Sequence, residues 1–514
     1  MRPASLRILT TGFRHAASTG LAAWLGLAFA VSSPSGQVPR PARPRLDPLR
    51  LQEFVGDLER FRVELKIPGI SAAIVKDGAI AWAQGFGFAD LENRTPATKD
   101  TPYCIASLTK VLSSTLILQF MERGLLSLDE PASKYARSFQ GSDIRIKHVL
   151  SHTSDGRPGD AYKYNSDRFG LLAELIRRVS GVPFRTLLAE TVLEPLGMLS
   201  TVPGRDFAAA EARGEIKLRG GTRGRYRWVL AKAARSYLLY GDDEIIRAPY
   251  PTPEIDAASG ILSTVMDLAK FDAALDAHRL LSKATQDLAW KPFVANGGGP
   301  LPYGLGWFAE SFQGLRLVWH YGYIDFFSSL YLKVPDKGLT LILLANSDGL
   351  SAPFFAVPAV ETSAFACSFL RHFVFEGGAG APAAAEPIQS YQTAADQSIS
   401  RWLADKRASQ RIPVEVDARD LKPAAGRYQL RPRGVLTITY DRGGLWIDMP
   451  QDHKSRLFPL GKDRFFLKTM NMDIGLVRGA RNRVTAIRFS ANGATVTATR
   501  IEAGGSDAAE GRDR

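Results

Sequence analysis

Ser107 and Lys110, three residues apart in "YCIASLTKVLSS", are the side chains whose types and spacing could do chemistry. A serine hydroxyl is a poor nucleophile until a neighbouring base takes its proton. Positions i and i+3 of a helix share a face, so the amine and the hydroxyl can meet. At a helix start the positive dipole end and partial burial both disfavour an ammonium, which leaves a neutral amine able to serve as that base. The same stretch also describes a serine N-cap followed by a solvated lysine, and local spacing does not separate the two readings. No His-Glu-x-x-His, Gly-x-Ser-x-Gly or phosphate-loop pattern occurs in the sequence. This argues against a zinc peptidase, an α/β-hydrolase or a nucleotide enzyme. Cys104 and Cys367 are the two cysteines. Two cysteines so far apart cannot make a dense disulfide framework or a four-ligand zinc site, and Cys104 reads as a small buried residue.

The elements around the pair follow from periodicity. Val111, Leu112, Leu116, Leu118, Phe120 and Met121 recur at helical spacing from Thr109 to Arg123, with Gly124 as the stop. "GISAAIVKDGAIAWAQGFGFAD", 69–90, predicts two strands around a turn at Lys76-Asp77-Gly78. "FGLLAELIRRVSG", 169–181, predicts a second helix ending in glycine. The stretch 315–349 predicts strands separated by turns at Gly322 and at Asp336-Lys337-Gly338. Strands, then helices, then strands predict an α+β fold, an antiparallel sheet flanked by helices. "GGAGAPAAAEP", 377–387, reads as a flexible connector, with a short helix near Ser398 to Arg407. Beyond it the pattern is all strand: a hairpin around 441–444, then "RFFLKT", "IGLVRG", "RVTAIRFS" and "TVTATRIE". That predicts a small C-terminal β-barrel or sandwich.

A chain of 514 residues suits two domains plus tails. The composition, 45% hydrophobic and 23% charged, is that of a soluble globular protein. The formal charge of +13 is not gathered into Lys/Arg runs interleaved with aromatics, so no nucleic-acid groove is expected. Arg2, Arg7 and Arg14 precede an apolar run from Leu21 to Val31, followed by small residues. The run is too short to span a bilayer and reads as an export signal with Ala28-Phe29-Ala30 as a cleavage site; an uncleaved anchor is the alternative. No further membrane span is expected after the signal is removed.

Several blocks occur together in order: "IPGISAAIVKDGAIAWAQGFGFAD", "YCIASLTKVLSSTLILQFMERGLLSLDEP", "IRIKHVLSHTSDG", "YKYNSDRFGLLAELIRRVSG", "ASGILSTVMDLAKF", "YGLGWF" and "WHYGY". Over residues 50–375 this series resembles the serine β-lactamase and penicillin-binding-protein superfamily, specifically the class C-like group with its D-alanyl-D-alanine carboxypeptidases and esterases. The resemblance implies the β-lactamase/transpeptidase-like arrangement, a sheet with flanking helices and a helical subdomain. It implies Ser107 as nucleophile and Lys110 as base. The family's Tyr-x-Asn motif falls on Tyr164-Asn165-Ser166, so Tyr164 would relay a proton to the leaving group, with serine at the usual asparagine. That exchange shortens the reach toward the substrate amide. The third motif falls on His320-Tyr321-Gly322, where a histidine whose charge varies near neutral pH could bond the network or a substrate carboxylate. Gly322 would let substrate backbone approach the strand, and the backbone N–H groups of Ser107 and Tyr323 would form the oxyanion hole. Tyr162 reads as packing, and His152 as holding the loop before Tyr164.

The implied organisation is a signal at 1–36, a linker at 37–47, a serine hydrolase domain at 48–375, a linker with a short helix at 376–410, a β-domain at 411–503 and a disordered tail at 504–514. The implied activity is acyl-enzyme hydrolysis of a D-amino-acid peptide, a β-lactam or a carboxylic ester, in the periplasm or outside the cell. No metal or organic cofactor is implied, and the partner is a small-molecule or peptide substrate, peptidoglycan fragments included. The basic, aromatic insertion 214–244 could line the cleft or form a surface lid. A catalytically weak penicillin- or peptidoglycan-binding sensor is the alternative, and a binding role for the C-terminal β-domain is another. Oligomeric state and physiological substrate are not fixed by the sequence.

Overall fold

The computed structural model describes residues 44–501 apart from 219, 251–253, 356–357, 376–384, 432–433, 450–453 and 492–493. The expected export signal, most of the first linker and the C-terminal tail lie outside the described residues. The part of the chain before the barrel is built on a seven-stranded sheet in the order Thr95–Pro96, Ala79–Asp90, Gly69–Lys76, Leu339–Ala345, Phe327–Val334, Leu315–Ile324, Phe308–Phe312. The strand pairs are antiparallel. Asp77 and Gly78 both take positive φ, 50° and 72°, so the first hairpin closes through the turn type whose twist matches its strands.

The two faces of the sheet are buried by different helices. Ala73, Val75, Tyr331, Ile342 and Leu344 face the cluster that holds the helices Thr109–Glu122 and Val265–Asp276. Their alternates Ala72, Ile74, Leu330, Leu332, Leu341 and Leu343 face Phe54, Leu58 and Phe61 of the helix Pro48–Glu64 and Phe365 and Phe369 of the helix Ala364–Phe369. Burial on both faces explains why these strands read as continuous apolar runs. One ion pair sits inside this packing. Lys333 Nζ, 1% exposed, lies 3.0 Å from the carboxylate of Asp272, 0% exposed, and 2.7 Å from Asp276. The Tyr331 and Thr340 hydroxyls also donate to Asp272.

Two expectations need correction. Gly322 is not in a turn; the strand Leu315–Ile324 runs through it and reverses at residues 325–326. The glycine is required by contact instead. A Cβ there would lie 2.1 Å from Ser329 Oγ and 2.3 Å from the Ile105 carbonyl oxygen, so the strand is pressed against the segment that enters Ser107. The expected short helix near 398–407 is a 24-residue helix, Ala385–Ala408. It is longer because Ala395 and Ile399 are buried in the same core as Phe54, Leu58 and Phe61, and Lys406 pairs with Asp348 at 2.7 Å. What reads as a connector is partly a packed element.

The C-terminal strands close into an eight-stranded antiparallel barrel in strict chain order, from Gly426–Leu430 to Ala494–Arg500, with Tyr428 opposite Arg500 at the seam. Arg442 and Gly443 turn with positive φ, 48° and 76°, between the paired Asp441 and Gly444. Leu436, Ile438, Leu445, Ile447, Phe465 and Ile487 fill the interior, as an eight-stranded barrel allows. The end of the insertion and the residues that follow it form the hairpin Tyr237–Tyr240 and Glu244–Arg247, and Tyr240 stacks on Phe466 of the barrel, ring centres 6.3 Å apart. No helix among the described residues is long and apolar enough to cross a membrane.

Candidate active site

Ser107 lies in the 3₁₀ turn Ala106–Leu108 that leads directly into the helix Thr109–Glu122. The chain enters through Ala106 at a φ of 47°, a left-handed conformation costing a non-glycine residue about 1–3 kcal/mol. Its neighbour is tied on both sides: Ile105 N donates to Ile261 O at 3.0 Å, and Ser329 Oγ donates to Ile105 O at 3.0 Å. These contacts hold the strained turn and aim the hydroxyl. The helix behind it is buried on nearly every side, so Lys110 is 0% exposed.

Lys110 Nζ lies 3.0 Å from Ser107 Oγ, 2.9 Å from Ser166 Oγ and 3.3 Å from the Ala258 carbonyl oxygen. Burial lowers its pKa from 10.5 to about 7, against a smaller opposing pull from Asp256 and Asp167. A neutral amine has two hydrogens and one lone pair. Ser166 and Ala258 can take the hydrogens, which leaves the lone pair for the Ser107 proton. Ser166 therefore meets the lysine directly, a contact that spacing alone does not reveal. Ala258 is a site residue the sequence reading missed. Its loop is fixed by Asp256, whose carboxylate accepts from Ala258 N at 2.7 Å and Ser259 N at 2.8 Å, and by Ser113, whose hydroxyl donates to Ala257 O at 2.6 Å.

Tyr164 packs beside the pair, with Lys110 Nζ 5.0 Å from its ring centre. Its hydroxyl is buried without a hydrogen bond of good geometry among the described residues. Burial raises its pKa well above the ordinary 10, opposed by the nearby Ser107 and Ser166 hydroxyls. The phenol therefore stays protonated near neutral pH, while the Lys110 amine is the group whose charge changes there. Asn165 caps the helix Ser166–Gly170 by accepting from Arg168 N at 2.9 Å. His152, at a φ of 53°, accepts from Asn165 N at 3.1 Å through Nδ1, and its ring lies 4.2 Å from that of Tyr164. Tyr162 stacks on Tyr303, ring centres 6.0 Å apart, and takes no part in the hydrogen bonds of Ser107 and Lys110.

His320 departs from expectation. It is 0% exposed; Nδ1 donates to Tyr321 O at 2.6 Å and Nε2 accepts from the Tyr303 hydroxyl at 2.8 Å. Burial, then the Lys110 charge, lowers its pKa to about 3, so its charge does not vary near neutral pH. Both ring nitrogens are engaged, which leaves neither for a substrate carboxylate. Tyr303, the second residue missed, orients this histidine and packs on His152, ring centres 4.8 Å apart. Its signal was present in "YGLGWF", but only the tertiary contact assigns it a role. The strand Phe308–Phe312 pairs with Leu315–Ile324 only as far as Trp319, so 320–324 extend beyond that partner strand alongside Ser107.

The close approach at Gly322 gives a direct test. In Gly322→Ala the added methyl must displace the segment entering Ser107. A displacement of this size is expected to lower kcat/KM by about 10²-fold, with an unchanged far-ultraviolet circular dichroism spectrum. Undiminished ester turnover would show that this contact does not set the nucleophile's position.

A family model described as Beta-lactamase matches residues 52–361, well over half of the chain. The protein belongs to that family. Among characterised relatives it is 22% identical over 441 residues to penicillin-binding protein 4* of Bacillus subtilis, covering 78% of this chain and 88% of that protein. It is 25% identical over 358 residues to the unguisins hydrolase ungD' of Aspergillus campestris, covering 59% of this chain and 62% of that one. Its fold is similar to that of the octameric penicillin-binding protein homologue from Pyrococcus abyssi, with a TM-score of 0.50 and 22% identity over 87% of this chain and 99% of that structure.

Proposed function

We propose that the protein is an exported serine hydrolase that cleaves an amide or ester through an acyl-enzyme at Ser107. The observation that carries this reading is a fully buried lysine, its pKa brought to about 7, 3.0 Å from a serine hydroxyl. Neutral Lys110 takes the Ser107 proton as Oγ attacks the substrate carbonyl. The backbone N–H groups of Ser107 and Tyr323 stabilise the oxyanion. Tyr164 relays the proton to the leaving group, and water activated by the same network then releases the acyl group. Ser166 and Ala258 orient the amine. Ser166 so acts on the base, and its shortened reach toward a substrate amide favours esters and small acyl groups over β-lactams. The basic N-terminal signal and the family membership support action in the periplasm or outside the cell.

The test is intact-mass spectrometry together with p-nitrophenyl acetate turnover. A mass increase equal to the acyl group, absent in Ser107→Ala, is expected with steady release of p-nitrophenol. Because the neutral amine is the active form, kcat/KM should fall tenfold per pH unit below about 7 and level off above it. A pH-independent rate from 5 to 9 would remove Lys110 from the mechanism. A penicilloyl adduct that persists without turnover would mark a penicillin-binding sensor instead.

A further inference from the structure

A cleft of about 280 Å³ opens where the barrel meets the catalytic domain. Tyr323 joins it to the reaction site: its backbone follows the third motif, and its residue lines the cleft. Asp325 and Asp348 also line it, and both carboxylates act on the Tyr323 hydroxyl, raising its pKa after the larger effect of burial. The opposite wall is barrel, with Phe466 and Thr469 beside Tyr240 of the insertion hairpin.

The charges do not balance. Lys406, Arg411 and Lys468 line the cleft, but each is already paired: with Asp348 at 2.7 Å, Asp473 at 2.7 Å and Glu244 at 2.5 Å. Asp325 is exposed and makes no ion pair or hydrogen bond among the described residues. Two buried polar atoms there also have no partner among the described residues, Asp348 Oδ1 and Thr469 Oγ1, in residues 2% and 8% exposed. Desolvating such atoms is costly unless something donates to them. An ammonium brings three donors and a positive charge. A terminal carboxylate finds no match: the nearby cations are taken, and His320 is neutral with both nitrogens engaged.

We infer that this cleft is a subsite for a protonated primary amine on the substrate, as in an amino-acid amide or a peptide with a free N-terminus. Asp325 follows Tyr323 by two residues, in the reversal that ends the strand Leu315–Ile324, so the third motif and the carboxylate are carried by one short segment. This inference rests on the hydrolase reading for its activity test but not for its binding test. The first measurement compares kcat/KM for D- and L-alanine p-nitroanilides with their N-acetyl forms. The free amine is expected to be favoured about tenfold, the worth of one charge-assisted hydrogen bond, and Asp325→Asn should bring the ratio toward one. Equal rates for the free and acetylated forms, or a ratio unmoved by Asp325→Asn, would overturn the inference. The second measures calorimetric binding of alanyl-alaninamide and its N-acetyl form to Ser107→Ala. Tighter binding of the free amine, weakened by Asp325→Asn, supports the subsite even where p-nitrophenyl acetate is not hydrolysed, an outcome that would sink only the hydrolase reading. Equal binding of the two forms rejects it.

Discussion

Lys110→Met is expected to lower kcat/KM for an ester substrate by about 10²–10⁴-fold, the usual contribution of a general base. Methionine fills nearly the same volume and suits a fully buried site. The substitution removes a desolvated amine whose charged form the fold disfavours. Stability should therefore hold or rise while activity is lost, and that opposite movement separates a missing base from a misfolded protein. The remaining rate should also lose its fall below about pH 7, because the group that titrates there is gone. A variant with the wild-type rate and pH profile would place the base elsewhere. Kinetics across pH together with a thermal melt is sufficient to decide.

The second large effect is on stability. Lys333→Met leaves the Asp272 carboxylate, 0% exposed, without its cation inside the packed layer. Removing one partner of a buried ion pair costs about 3–5 kcal/mol. Asp276 contributes further, since burial and then Asp272 already raise its pKa. The urea midpoint of the seven-stranded-sheet domain should fall accordingly. Changing Asp272 to leucine in the same protein should recover much of the loss, because an apolar pair of similar volume needs no cation. A loss below about 1 kcal/mol in the single variant would match a surface pair and contradict the burial argument.

The parts of this molecule legible in the sequence are those set by short-range pattern. Ser107 and Lys110 were visible because one turn of backbone decides whether they meet. The barrel strands were visible because turn residues punctuate an alternating pattern, as at Arg442-Gly443. Gly322 was misread because a glycine within apolar residues looks like a reversal. Its true reason, the approach of Ile105 and Ala106, lies more than two hundred residues away in the chain. Tyr303, Ala258 and the Ser166 contact were hidden for the same reason, since each role depends on packing between distant segments. His320 was found by motif, but its state was not. Spacing places an imidazole on a strand and says nothing of the Tyr303 hydroxyl that closes its second nitrogen. The helix Ala385–Ala408 was underestimated because alanine-rich sequence next to glycine and proline resembles a tether until its burial is known.

The pairing of Gly69–Lys76 with Leu339–Ala345 has a consequence for how the protein is made. Ile70 waits for Ala345, so the first hairpin leaves the ribosome with one edge unmatched and both faces apolar. At cellular elongation rates that interval is roughly 15–50 s, ample time for sticking to other nascent chains. The barrel, assembled from neighbours in order, faces no such delay. Misassembly during biogenesis should therefore originate in the amino-terminal hairpin, and a holdase that shields it would raise the yield of active protein more than any aid to the carboxy-terminal half.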